Sequence, residues 1–266
     1  MVADAVPMDF GYSIAGFIVG MIVGLTGVGG GSLMTPLLVL MFGIHPAKAV
    51  GTDLLYAAIT KAGGTWVHAQ KGTVDWRITR LLAAGSMPAT AVTLLLVHHF
   101  APGGFGNATK LISTVLGFAL LLTAASLIFR NKLMAWAEAR SKTPRSQRAT
   151  ETLTVITGLL LGVLVSLSSV GAGALGVTAL LFLYPKLPTV KIVGSDIAHA
   201  VPLTLVAGIG HWFMGSVDFE LLGALLVGSL PGIYIGSHLA VRIPEKILRP
   251  SLAAILLFTG SKLIAN

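Results

Sequence analysis

The chain has no cysteine among its 266 residues, and charged residues make up only 11% of it. The first absence excludes a disulfide framework, thiol redox chemistry and any cysteine-ligated metal. The second excludes a water-soluble globular domain, which carries roughly 25% charged residues to solvate its surface. Acidic residues are scarcest, 10 against 18 Lys and Arg. No His-Glu-x-x-His run occurs and no His/Asp grouping has metal-ligand spacing, so neither a metal site nor a cofactor is expected. The stretch Met1–Phe10 lacks a basic n-region and carries Asp4 and Asp9. It does not read as a cleavable signal, so the first apolar segment is expected to stay in the membrane.

What the chain does have is apolar length. Hydrophobic residues account for 55% and the mean hydropathy is +0.87. Runs such as Leu111–Phe129 and Leu252–Leu263 suit the hydrocarbon core of a bilayer. The expected fold is an all-α integral membrane protein. Its apolar segments fall at residues 11–28, 32–43, 47–69, 76–99, 110–129, 152–169, 174–184, 190–213, 219–240 and 247–264. A net charge of +8 could suggest nucleic acid, but no basic stripe interleaves with aromatics. The basic residues lie between apolar segments instead, as the positive-inside bias requires. Arg130, Lys132, Arg140, Lys142, Arg145 and Arg148 crowd one linker, which is therefore expected to be cytoplasmic. Lys71, Arg77, Arg80, Lys186, Lys191, Arg242, Lys246 and Arg249 then fall on the same side, and both termini are expected to be periplasmic.

The sequence also says nearly the same thing twice. Residues 16–31 and 158–173 are two glycine-rich apolar runs of like pattern. Val50-Gly-Thr-Asp53 returns as Val193-Gly-Ser-Asp196, and Gly85-Ser-Met-Pro88 returns as Gly228-Ser-Leu-Pro231. His68 to Trp76 returns as His211 to Phe219. An odd number of segments per copy forces the second copy to enter from the opposite face. The charges agree: Lys71 and Arg77 correspond to Met214 and Glu220, and the uncharged loop 101–108 corresponds to the basic loop 242–249. Two inverted repeats of about five segments are expected, at residues 1–129 and 152–266, joined by the basic linker 130–151. Duplication with internal glycine breaks is the sequence pattern of an inverted-repeat transporter.

Segments 32–43 and 174–184 are too short to cross a hydrocarbon core of roughly 30 Å. Each follows a glycine cluster, Gly29-Gly30-Gly31 or Gly171-Ala172-Gly173, so broken or re-entrant helices are expected there. A helix opening at Ser32 or Ala174 would leave unpaired N–H groups at a positive helix end, which attracts anions. Close helix packing is the alternative use of the same glycines. Asp53 and Asp196 lie inside apolar segments, where a carboxylate normally faces a partner or a cavity. His199, one turn beyond Asp196, could relay a proton. Lys61 lies deepest of the basic residues and could offset an anion, with snorkelling as the plain alternative. His68 and His211 recur near segment ends and complete the proton-coupling candidates. Asp75 and Asp218, each before an aromatic, read as helix N-caps.

These pieces together resemble the sulfite exporter TauE/SafE family. The resemblance rests on Gly20-x-x-x-Gly24-Leu-Thr-Gly-Val-Gly-Gly-Gly-Ser32 followed by Pro36-Leu-Leu, then Val50-Gly-Thr, then Gly72-x-Val-Asp-Trp76, and it runs through both copies. It implies movement of small sulfur anions, such as sulfite or organosulfonates, across the bacterial inner membrane. It further implies substrate-lining elements at Gly29, Gly30, Gly31, Ser32, Gly51 and Thr52, with Gly171, Gly173, Gly194 and Ser195 in the second copy. The expected protein is thus a proton-coupled secondary transporter of a small anion and not an enzyme, working by alternating access with Lys61 offsetting charge. Its partners would be the anion and the lipid bilayer, with no nucleic acid; a homo-oligomer is compatible with the sequence. A passive anion channel and a carrier of a non-sulfur organic anion are the alternatives.

Overall fold

A computed structural model describes residues 10–26, 31–100, 109–140, 146–239 and 245–265. Gly29 and Gly30 lie outside the described residues, as does the side chain of Ser32. Every regular element among the described residues is helical. In chain order they are α1 (Phe10–Thr26), α2 (Gly31–Leu40), α3 (Pro46–Gln70), α4 (Trp76–Phe100) and α5 (Thr109–Arg140). The second half supplies α6 (Gln147–Ser168), α7 (Ala174–Leu183), α8 (Thr189–Phe213), α9 (Phe219–Leu239) and α10 (Glu245–Ala265). Five helical stretches are long and apolar enough to cross a membrane: α4, α6, α8, residues 110–130 of α5 and residues 219–236 of α9. The exposed face supports that reading, since Leu95, Phe118, Leu160 and Phe258 all point outward. Such a surface is solvated by lipid, while the helices satisfy their backbone groups internally.

Helices pair by close approach at glycine. Gly16 and Gly20 of α1 lie against the backbone of Leu225 and Ser229 in α9, and Gly158 and Gly162 of α6 lie against Leu82 and Ser86 in α4. Both pairs run parallel. A Cβ at Gly228 would overlap the Ser13 carbonyl, and one at Gly85 would overlap that of Val155. Within a bilayer, where apolar burial gives little drive, such backbone proximity supplies the packing. Helix α3 crosses α8 the other way. Gly51 meets Ser216, Leu55 meets Gly208, Gly64 meets Ile197, and His68 meets Gly194. Helices α5 and α10 are likewise antiparallel, with Gly117 on Ile264 and Gly260 on Leu121. Each of α3 and α5 therefore packs against its own sequence counterpart, running oppositely.

The break after the second glycine cluster is explicit. Helix α6 stops at Ser168, and Ser169 turns into the left-handed region at φ 59°. Gly171 and Gly173 follow at φ 125° and 126°, values open only to glycine. Helix α7 then runs for 10 residues, about 15 Å, half the hydrocarbon thickness. Helix α2 is equally short at 10 residues and contains Pro36. The basic linker is helical at both ends, as α5 continues to Arg140 and α6 begins at Gln147. Ser146 caps α6 by accepting the Ala149 N–H at 3.2 Å, and Arg77 pairs with Glu151 to tie the starts of α4 and α6 together.

Candidate functional site

The buried polar groups gather where α3 crosses α8 beside the α6–α7 break. Asp53, on α3, is fully buried, and its Oδ2 accepts a hydrogen bond from Thr35 Oγ1 of α2. The Ser169 hydroxyl lies beside the same carboxylate. Two turns along α3, Lys61 is also buried and donates from Nζ to the Ala172 carbonyl at 3.0 Å, inside the second glycine cluster. Asp196 and Asp53 are the carboxylates whose charges act on that ammonium, Asp196 more strongly. Lys61 thus reaches from the first half of the chain into the interrupted helix of the second. Its counterpart, Thr204, bonds only within its own helix, to Ala200 at 2.8 Å and Val201 at 3.4 Å.

Asp196, on α8, is fully buried against the first turn of α7, where the Gly173 N–H faces it. A Cβ at Gly176 would collide with Asp196 Oδ1, so that glycine is what admits the carboxylate. Neither Asp196 oxygen has a fully formed hydrogen bond. One turn on, His199 Nε2 lies 2.8 Å from Ser86 Oγ of α4, and its Nδ1 is buried without a partner. The counterpart positions repeat this arrangement with different chemistry, Tyr56 facing Ser229. Asp53, Lys61, Asp196 and His199, with Gly171 and Gly173 of the α6–α7 break, are the residues singled out from sequence that the fold assembles.

The loop glycines, their neighbouring hydroxyls and the helix-end histidines are placed elsewhere. Thr52 Oγ1 accepts the Asp218 N–H at 3.0 Å, and Ser195 Oγ accepts the Asp75 N–H at 2.8 Å. These hydroxyls seat the loops that open α9 and α4, and Gly51 and Gly194 meet the Ser216 and Thr73 carbonyls of the same loops. Asp75 and Asp218 act as caps: Asp75 Oδ1 accepts from Arg77 N at 3.0 Å and Asp218 Oδ1 from Leu221 N at 3.0 Å. His68 sits at the end of α3 with Nδ1 2.8 Å from Thr73 Oγ1. His211 is buried at the end of α8, with Nε2 2.8 Å from the Ser166 carbonyl. A carbonyl only accepts, so that nitrogen carries the hydrogen. Thr35, Ser86, Ser169 and Gly176 were not anticipated from the sequence. Of these only Ser86 left a trace, in the repeated Gly-Ser-x-Pro.

A cavity of about 610 Å³ lies away from this cluster, between α5, α6 and α7, lined mainly by Leu122, Phe129, Leu160, Leu164, Leu175 and Phe182. It is apolar and opens outward, and no titratable group of the cluster lines it. Among the described residues no group of three or more His, Cys, Asp or Glu could hold a metal.

A multi-pass helical protein with a buried charge cluster at a helix break is a transporter-like architecture. The sulfite exporter TauE/SafE family profile matches residues 12–263, and the chain belongs to that family. It is 39% identical to the "Probable membrane transporter protein YjnA" of Bacillus subtilis, over 97% of this chain and 100% of that one. It is 27% identical to YdhB of the same organism, over 91% and 96% of the two chains. The similarity to MJ0441 of Methanocaldococcus jannaschii is 25%, over 91% and 90%. Both carry the same description, probable membrane transporter protein. No solved structure matches the chain significantly. The protein is a membrane transporter.

Proposed function

We propose that the protein is a secondary transporter that carries a small sulfur oxyanion or organosulfonate, sulfite-like in size and charge, across the bacterial inner membrane by alternating access. One observation carries the reading. The Lys61 ammonium and the amino end of α7 converge on one buried point from the two halves of the chain. An ammonium beside unpaired helix-end N–H groups is an anion site. Gly171 and Gly173 shape it, and Gly29, Gly30, Gly31 and Ser32 would form the counterpart in the first half. Gly51, Thr52, Gly194 and Ser195 flank the site by fixing the loops at either end of the α3–α8 crossing.

In this state the place of the anion is held by the carboxylate of Asp196, which faces Lys61 from α3 and Gly173 and Gly176 from α7. Asp53, across Lys61, and His199, held by Ser86 of α4, complete the surrounding titratable groups. A proton taken up by Asp196 releases the ammonium and the amide for a substrate anion. Proton and anion then move together, with His199 as the relay; His68 and His211 stand at the ends of α3 and α8 as outer proton stations. The halves act as inverted repeats, a reading supported by counterpart helices crossing antiparallel, which needs a two-fold axis perpendicular to them. The charge distribution supports a cytoplasmic linker 130–151 and periplasmic termini.

Flux in proteoliposomes tests this. We expect saturable sulfite or sulfonate uptake driven by a pH gradient, reduced at least about tenfold by Lys61→Ala. Asp196→Asn should abolish the pH drive while leaving anion exchange. Linear flux that ignores the gradient would make the protein a passive channel, and preference for carboxylates would make it a carrier of non-sulfur anions. Flux unaffected by both substitutions removes the site.

A further inference from the structure

The cavity of about 610 Å³ between α5, α6 and α7 takes no part in the anion site, yet it has the size of a binding site. Organic ligands usually occupy roughly 300–1,000 Å³. On α7 its lining residues are Leu175, Thr178, Ala179 and Phe182, spaced so that they share one face of the helix. A different face of α7 carries Gly176, against Asp196. At the inner end Leu161 and Leu164 line the cavity beside the break, where a Cβ on Gly171 would touch both. At the other end Phe129 and Leu133 lead along α5 toward the basic linker. The carboxyl end of α7 lies on that side too, since the Tyr184 hydroxyl is 2.8 Å from Thr154 Oγ1, early in α6. From Leu122 to Leu133 the cavity follows α5 for about 16 Å.

The hydroxyls in its wall are already engaged. Thr157 donates to the Leu153 carbonyl at 2.8 Å and Thr178 to the Ala174 carbonyl at 2.7 Å. With the Thr178 hydrogen so placed, Ser126 donates to Thr178 at 2.6 Å. No hydroxyl hydrogen is left for a polar ligand, so the occupant of the cavity is apolar. Charge stands at the rim instead. Arg130 borders the linker-side end together with Leu133 and Phe182. The Lys132 ammonium lies over the Phe129 ring, 5.9 Å from its centroid. Among the described residues no acidic side chain lines this end. We propose that the cavity holds an acyl chain of an anionic phospholipid whose phosphate rests on Arg130 and Lys132. An empty cavity forfeits dispersion contacts along its lining, and the surrounding bilayer offers chains at its open side. Basic side chains at the end of a membrane helix reach the headgroup layer and attract anionic lipid. A zwitterionic lipid would fill the same space but gain little from the two cations. A free anion would meet the cations and leave the cavity empty. The lipid would brace α7 from its cavity side, and its binding does not depend on the transport reading.

The purified full chain, delipidated in a neutral detergent, is titrated with phosphatidylglycerol or with phosphatidylcholine of the same chains at constant ionic strength. Tm and the lipid retained in native mass spectrometry are read together. We expect phosphatidylglycerol to raise Tm saturably with a single lipid retained, and phosphatidylcholine to require at least about tenfold more. Lys132→Ala and Arg130→Ala should each narrow that preference. Ala179→Phe fills the cavity and should abolish retention of either lipid. Should Arg130→Ala fail to fold, Lys132→Ala, at an exposed position, and Ala179→Phe decide. Equal responses to the two lipids, or a phosphatidylglycerol response unchanged in Lys132→Ala and Ala179→Phe, would overturn the proposal. So would equal stabilisation by glycerol phosphate, which has no chains and would mark a bare anion site. A dimer that persists without lipid and is lost in Ala179→Phe would give the cavity to a second copy of the chain instead.

Discussion

Lys61 has no charged counterpart in the second copy, where Thr204 stands instead, and that asymmetry gives the buried cluster its direction. A single ammonium lies near two carboxylates, and its own hydrogen bond goes to Ala172 in the opposite half. The residues of highest contrast, Asp53, Lys61 and Asp196, were legible in the sequence because a charge within an apolar run is costly wherever it occurs. Their hydroxyl partners were not. Many hydroxyls here turn back to their own helix, as Thr123 does to Ala119 and Thr204 to Ala200, so a Ser or Thr in the sequence says little about reach. Thr52 and Ser195 show the converse, each accepting a loop N–H from the other half. Replacing Ser195 by Ala leaves the half-buried Asp75 N–H without its partner, at a cost of about 1 kcal/mol. A lowered Tm with little change in flux is expected; a large flux loss at unchanged Tm would instead place the hydroxyl on the substrate.

Among elements, α7 and the paired glycine helices carry the most specific expectations. Gly176→Ala would drive a methyl into Asp196 Oδ1, so transport should fall more than stability does. Gly173→Ala sits at φ 126°, where an L side chain is strained by about 1–3 kcal/mol. In the α1–α9 pair, Gly228→Val should cost about 3 kcal/mol through overpacking, read as a lower Tm and loss of a monodisperse elution peak. Gly63 makes the control: a Cβ added there would meet nothing within 4 Å, so Gly63→Ala should be neutral or stabilising by about 0.5–1 kcal/mol. The two short segments and most helix bounds were readable from apolar runs and glycine clusters, but the continuation of α5 to Arg140, past the expected end at 129, was not. The partner of each helix was not, because glycine marks that something packs closely without saying what.

For the whole molecule, the testable statement is the inversion of the halves. The absence of cysteine makes every introduced thiol unique. Lys71→Cys and Met214→Cys occupy counterpart loops, and an impermeant thiol reagent should reach them from opposite sides of the membrane. Labelling from one side would reject inversion. A short cross-linker joining Gly64→Cys to Ile197→Cys would report the antiparallel α3–α8 crossing directly.

Membrane residence, helix count, duplication and the short helices follow from local sums of hydropathy, from run length and from glycine placement, all written in neighbouring residues. The assembly of the site does not, because its contacts join distant parts of the chain: Thr35 to Asp53, Lys61 to Ala172, Ser86 to His199. Two aspartates with the same repeat position look identical in one dimension. Only the packing of α2 on α3 and of α7 on α8 gives Asp53 the Thr35 and Ser169 hydroxyls and leaves Asp196 with the Gly173 N–H, since those partners come from parts of the chain far away in sequence.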